Sequence, residues 1–210
     1  MNSLLYVEAS PRKHRSASIE VARAFIRAYQ AAHPSDTVDV LDVWDLDLPE
    51  FDGATMEAKY AGLGGTPLDQ AQEFAWRRIQ ELAAPFLAAE KILFAVPLWN
   101  FSIPYRLKHL IDLISQKDVL FSFTEAGFSG LLQGRKAAVV YARGLDFAPT
   151  ALTPAGSYDF QKPYIEMWLR FVGITDISSI IVEKTLFGPE VDQGARDEAG
   201  RQAAALAETF

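Results

Sequence analysis

The sequence predicts an α/β fold in which a five-stranded parallel sheet is doubly wound, with helices on both faces. Three observations carry that expectation. Ile92-Leu93-Phe94-Ala95-Val96 is an uninterrupted apolar run, the mark of a strand buried on both faces inside a parallel sheet. Runs of this kind alternate with helical patterns along the chain, as βαβ units require. The run at 92–96 also stops at Pro97, opens into an aromatic loop, and gives way at once to Leu107, Leu110, Ile111 and Ile114 at helical spacing.

Taken in order, a first strand is expected over residues 4–8. A helix follows, entered through Ser16 and Ser18 and showing Ala22, Phe25, Ile26 and Tyr29 on one face. A second strand falls at 38–43. Residues 45–67 carry Gly53, Gly62, Gly64, Gly65 and Pro67 and read as a long excursion before a helix containing Phe74, Ile79 and Leu82. After the third strand at 92–96, residues 118–134 form a second irregular stretch. Its Phe121, Phe123 and Phe128 mark it as ordered and functional rather than loose. The fourth strand is 137–141. A helix with Pro163 near its start carries Ile165, Trp168, Leu169 and Val172, and the fifth strand is 177–182 after Gly173. The alanine-rich stretch 191–209 reads as a closing helix on propensity. Without an internal repeat, a low-complexity tract or a linker, residues 1–210 read as one domain.

Composition narrows the function. Half of the 210 residues are hydrophobic and 22% are charged, the balance of a folded globular chain. A net charge of −7 disfavours nucleic acid and anionic membrane as general partners, but leaves room for a small anionic ligand. With no cysteine there is no disulfide framework, thiolate metal site or cysteine nucleophile. The histidines His14, His33 and His109 show no His-x-x-x-His spacing, so no metal site is expected. Residues 1–7 lack the basic start and apolar core of a signal peptide, and no apolar run is long enough to span a bilayer; a cytoplasmic protein is expected.

Three loops carry chemistry. Glu8 to Ser18 joins the first strand to the first helix, and its Ser10, Ser16 and Ser18 suit an anion at a helix N-terminus. This is neither a Walker loop nor Gly-x-Gly-x-x-Gly, and an ordinary serine N-cap is the competing reading. Arg12, Lys13 and Arg15 either assist an anion or form a solvated loop with an exposed His14. The second loop, Pro97 to Pro104, is aromatic and bears one amide, which suits a flat ligand. The third, Ala142-Arg143-Gly144, lets a ligand approach the backbone closely. In a sheet of order 2-1-3-4-5 the crevice lies between strands one and three, where flavodoxin-like proteins hold FMN. A phosphate at the first loop and a flat ring at the second match the two ends of that molecule.

Here the chain resembles, nearly end to end, the bacterial FMN-dependent NADH-azoreductases, close to the NAD(P)H:quinone oxidoreductases. Pro97-Leu98-Trp99-Asn100-Phe101-Ser102-Ile103-Pro104 is similar to the family's Pro-Met-Tyr-Asn-Phe-x-Ile-Pro. Phe121-Ser122-Phe123-Thr124-Glu125-Ala126-Gly127, Gly130-Leu131 and Gly188-Pro189-Glu190 resemble later blocks, and Ser10, Ser16 and Ser18 fall on phosphate-loop positions. The departures are Ala17 for a glutamine, Leu98 for methionine, Trp99 for tyrosine, and Ala142 and Leu145 within the family's Ser-Arg-Gly-Gly.

The resemblance implies one flavodoxin-like FMN-binding domain and two-electron ping-pong hydride transfer from NADH or NADPH to a quinone or azo compound. The flavin carries the chemistry, so no covalent nucleophile is required. It implies a cofactor site of Ser10, Ser16, Ala17, Ser18, Pro97, Leu98, Trp99, Asn100, Phe101, Ala142, Arg143 and Gly144. Backbone N–H groups of Asn100, Phe101 and the Arg143-Gly144 turn would face the charge of the reduced ring, with Trp99 and Phe101 packed on it and the Asn100 amide bonded to it. Phe121 and Phe123 fall where a partner subunit walls the pocket, which implies a homodimer. The alternative is a flavodoxin-like electron carrier without NAD(P)H turnover; the long 45–67 and 118–134 segments argue against it. A response-regulator module lacks its acidic cluster, and a hydrolase lacks Gly-x-Ser-x-Gly.

Overall fold

In a computed structural model, which describes residues 3–63, 67, 69–125 and 127–210, the five apolar runs become one parallel sheet. Met1, Asn2, Gly64, Gly65 and Ala126, which entered the sequence reading, lie outside the described residues. The first half runs β1 (Ser3–Glu8), α1 (Ala17–Ala32), β2 (Thr37–Asp42), α2 (Gly53–Leu63), α3 (Gln70–Ala88), β3 (Lys91–Pro97) and α4 (Tyr105–Ile114). The second runs β4 (Phe121–Thr124), β5 (Gly127–Gly130), β6 (Lys136–Ala142), α5 (Ala155–Tyr158), α6 (Lys162–Phe171), β7 (Asp176–Val182) and α7 (Pro189–Ala207). The sheet order is β2-β1-β3-β6-β7, so chain order reverses between β1 and β3.

Strand alternation divides the core in two. Leu5, Val7, Ile92, Phe94, Val139 and Tyr141 point to one side and pack with residues of α3, α4 and α6. Leu4, Tyr6, Leu93, Ala95, Ala138 and Val140 point to the other and pack with α1 and α7. Residues 91–96 of β3 are buried without a break, which is why the sequence shows a run rather than an alternation there. Each fully buried Leu, Ile, Val or Phe side chain contributes about 1.5–3 kcal/mol to this sandwich.

Two segments differ from the sequence reading. The excursion at 45–67 contains α2, and 118–134 contains the antiparallel hairpin β4–β5. The hairpin docks on the end of α6: Phe121 lies 4.8 Å from Phe171 between ring centroids, and Phe123 4.7 Å from Phe128. Gly130 permits that contact, because a Cβ there would stand 2.0 Å from the Val172 carbonyl carbon and 2.1 Å from Gly173 N. Among the described residues no helix is long and apolar enough to cross a membrane, and no group of three or more acidic or histidine side chains is placed to hold a metal.

Candidate functional site: a cleft where the strand order reverses

The β1–α1 loop leaves the sheet at the reversal point. Ala9 N–H still donates to Ala95 O at 3.1 Å, Ser10 is fully buried, and a 3-10 turn at Lys13–Arg15 leads into α1. Ser16 takes the N-cap position but makes no side-chain capping bond. Its Oγ lies 3.1 Å from Ser18 Oγ instead. The capping alternative therefore does not account for this hydroxyl, and the first N–H groups of α1 keep their anion-binding capacity. Lys13 departs from the solvated-loop expectation: its Nζ reaches Glu8 Oε1 at 3.1 Å and also pairs with Asp42. Arg12, His14 and Arg15 are exposed, as expected.

The β3–α4 loop is a tight turn. Trp99 and Ser102 exchange both backbone hydrogen bonds at 2.9 Å, and Asn100 and Phe101 between them sit at φ 46° and 70°. Positive φ at both central residues is what a two-residue I′ turn requires. Neither is glycine, so the turn holds strain, and it is braced by Phe160 N–H donating to Phe101 O at 2.9 Å and by Phe101 against Tyr158 at 5.4 Å. Within the described residues the N–H groups of Asn100 and Phe101 have no protein acceptor. Trp99 forms an aromatic group with Trp44 (5.7 Å) and Tyr105 (6.5 Å), and Trp44 Nε1–H donates to Ala9 O at 3.0 Å.

At the end of β6, Arg143 behaves differently from its place in the sequence reading. Its N–H donates to Val182 O at 2.8 Å, which commits it inside the sheet edge, and only Gly144 N–H remains as a donor on that turn among the described residues. The guanidinium is buried and faces carboxylates: Nη1 meets Glu183 at 3.1 Å, Nη2 meets Asp159, and Nε meets Gln161 at 3.3 Å. Leu186 lies against Gly144, where a Cβ would stand 2.6 Å from its Cδ1.

These loops enclose one cleft of about 560 Å³, including its open mouth. Ser10, Arg12, Ser16 and Ala17 line one part; Pro97, Leu98, Trp99, Ala142, Arg143 and Gly144 line another. Ser18 is not on the wall, although its Oγ meets that of Ser16; Asn100, Phe101, Phe121 and Phe123 are also absent from the wall that this chain forms. Sequence reasoning missed Thr185, Leu186 and Arg196, which complete it. Arg196 is held by Asp192 at 2.7 Å and Glu20 at 2.6 Å, so the wall's side-chain cations Arg143 and Arg196 are both paired, while Arg12 is exposed. Beside the cleft, burial and the charge of Glu8 hold the Tyr6 hydroxyl far above its ordinary range. Burial does the same to Tyr141, with Glu166 and Asp159 adding to it. Neither phenol gives up a proton near neutral pH. The wall thus offers neutral hydroxyls, backbone donors and aromatic surface. It can bind and orient an anionic, flat molecule, but it carries no nucleophile–base pair.

The model for the flavodoxin-like fold matches residues 2–207. The FMN-dependent NADH:quinone oxidoreductase 9 of Burkholderia lata is 57% identical over the whole of both chains. The FMN-dependent NADH:quinone oxidoreductase of Nitratidesulfovibrio vulgaris is 47% identical, again over the whole of both. Among solved structures, an FMN-dependent NADH-azoreductase from Bacillus anthracis in complex with FMN superposes with a TM-score of 0.84 at 27% identity, covering 99% of this chain and 100% of that one. The chain belongs to the flavodoxin-like family that contains these quinone oxidoreductases and azoreductases.

Proposed function

We propose that this chain is an FMN-dependent oxidoreductase that uses NADH to reduce quinones and azo compounds. The observation that carries the reading is the cleft at the β1–β3 reversal. One wall combines buried serine hydroxyls at a helix N-terminus with an aromatic loop. Those residues fit FMN: an anion-binding end, a flat apolar end, and donors between them. When bound in this cleft, FMN would supply the two-electron, ping-pong hydride chemistry between NADH and the acceptor.

The chain's own residues bind and orient. Ser10 and Ser16, with the N–H groups at Ala17 and Ser18, hold the phosphate end. Pro97, Leu98 and Trp99 support the ring, the Asn100 amide bonds its edge, and the N–H groups of Asn100, Phe101 and Gly144 face the charge that gathers on reduction. Ala142 and Arg143 supply backbone that the cofactor lies against. Exposed Phe123, Phe128, Phe160 and Phe187 support a homodimer in which Phe121 and Phe123 wall the partner's site. We assign residues 1–210 to one cytoplasmic domain, doubly wound, its two cores supporting that arrangement.

Purified protein is expected to be yellow, to bleach under anaerobic NADH, and to oxidise NADH catalytically when a quinone or an azo dye is present. Ser16→Ala lowers FMN affinity in this scheme. Colourless protein that takes up no added FMN overturns it. FMN binding without NADH turnover would instead support the electron-carrier reading.

A further inference from the structure

We infer that Lys13 is a positioning residue for the phosphate end of the cofactor: it pairs with two carboxylates at the strand ends beside the β1–α1 loop, offsetting one of their two charges, and fixes the loop's backbone. This rests on the FMN reading above. Glu8 and Asp42 close adjacent strands, β1 and β2, and their side chains are only 7% and 18% exposed. Glu8 stands two residues before Ser10 and Asp42 lies in register with it on β2, so the two carboxylates would repel a phosphate dianion at the loop. Lys13 folds back beneath the loop onto both of them.

Each partner is engaged on its other oxygen as well. Tyr6 O–H donates to Glu8 Oε2 at 3.4 Å, and Trp44 N–H donates to Asp42 Oδ1 at 3.0 Å. The carboxylates are thereby aimed at the ammonium. The backbone of Lys13 takes part too. Its φ of 50° is unusual for a residue with a side chain, and its carbonyl accepts Ser16 N–H at 3.0 Å. The ion pairs hold the left-handed turn that places Ser16. His14 and Arg23 line the same depression as Lys13, but neither has an ion pair with Glu8 or Asp42.

The test compares FMN with riboflavin, which keeps the ring and lacks the phosphate. Binding to apoprotein is read by quenching of flavin fluorescence. Lys13→Met is expected to weaken FMN by about tenfold, the scale of repulsion from one carboxylate charge no longer offset, with riboflavin affinity unchanged. Lys13→Arg restores FMN affinity. Lys13→Gly accepts the left-handed backbone without strain and is expected to lose affinity like Lys13→Met. Equal losses for FMN and riboflavin overturn the inference, as does an FMN affinity in Lys13→Met close to wild type. So does a Lys13→Gly protein that binds FMN normally. Wild-type protein that binds neither flavin would refute the functional reading rather than the role of Lys13.

Discussion

Arg143→Met separates a structural arginine from a ligand-binding one. The guanidinium is 2% exposed and faces Asp159, Glu183 and Gln161. Glu183 is 25% exposed and also accepts Phe147 N–H at 3.3 Å, so it reaches water once the arginine is gone. Asp159 is the costly partner. Its side chain is 6% exposed and its Oδ2 is left alone, although Oδ1 keeps the N–H groups of Gln161 (2.9 Å) and Lys162 (3.0 Å) at the start of α6. Unpairing a buried ion pair costs about 3–5 kcal/mol, and the two remaining donors set this case at the lower end, about 3 kcal/mol. In a chain of this size that lowers Tm by about 6–12 °C. Urea unfolding of FMN-free protein, followed by tryptophan fluorescence, measures it. Asp159→Asn in the same background is expected to return about half of the loss, while FMN affinity of the folded fraction changes little. A loss below about 1 kcal/mol, or intact stability with collapsed FMN affinity, would assign the guanidinium to the ligand instead of to the fold.

Two glycines should respond with opposite signs in thermal unfolding: Gly130→Ala is expected to cost about 3 kcal/mol because backbone at Val172–Gly173 blocks its Cβ, and Gly194→Ala, helical with open space around it, to gain about 0.5–1 kcal/mol. Ala17→Gln adds a side-chain donor on the cleft wall and should tighten FMN about threefold to tenfold in a fluorescence titration; unchanged affinity would mean that the first turn of α1 does not face the phosphate. Glu166 supplies a pH test: burial raises its carboxyl, but hydrogen bonds from Lys162, Ser179 and Arg170 outweigh burial and hold it below the usual 4.5. A depressed folded pKa stabilises fully above about pH 4.5 and is lost as pH falls through the folded value. Glu166→Gln should therefore flatten the acid limb of the Tm profile, and an unchanged slope there would exclude this role.

The sheet was legible in the sequence because its central strands are buried on both faces. Residues 92–96 and 137–141 could be read from apolar continuity alone, and alternation with helices then pointed to a parallel sheet, while its order came from likeness to flavodoxin-like sheets. The β4–β5 hairpin was not legible. Its strands are four residues each, the second begins and ends on glycine at Gly127 and Gly130, and Gly130 is there for contact with Val172–Gly173, more than forty residues away. α2 was hidden by its glycines and the lack of a clear apolar face. In the site, Ser10, Ser16 and Trp99 announced themselves as residue types at strand ends. Arg196 and Leu186 come from α7 and from the segment preceding it, and only the fold brings them to the wall. Arg143 shows the reverse problem: its position suggested a ligand contact, but its chemistry is consumed by Asp159 and Glu183.

The turn at Asn100–Phe101 constrains how this protein can diverge. Its donors are peptide groups, so natural variation at those two positions does not remove them provided the backbone torsions persist. What the turn requires there is a backbone angle rather than a functional group. Under the proposed FMN reading, Trp99 and its neighbours can be substituted without altering the hydrogen-bonding pattern that this turn presents.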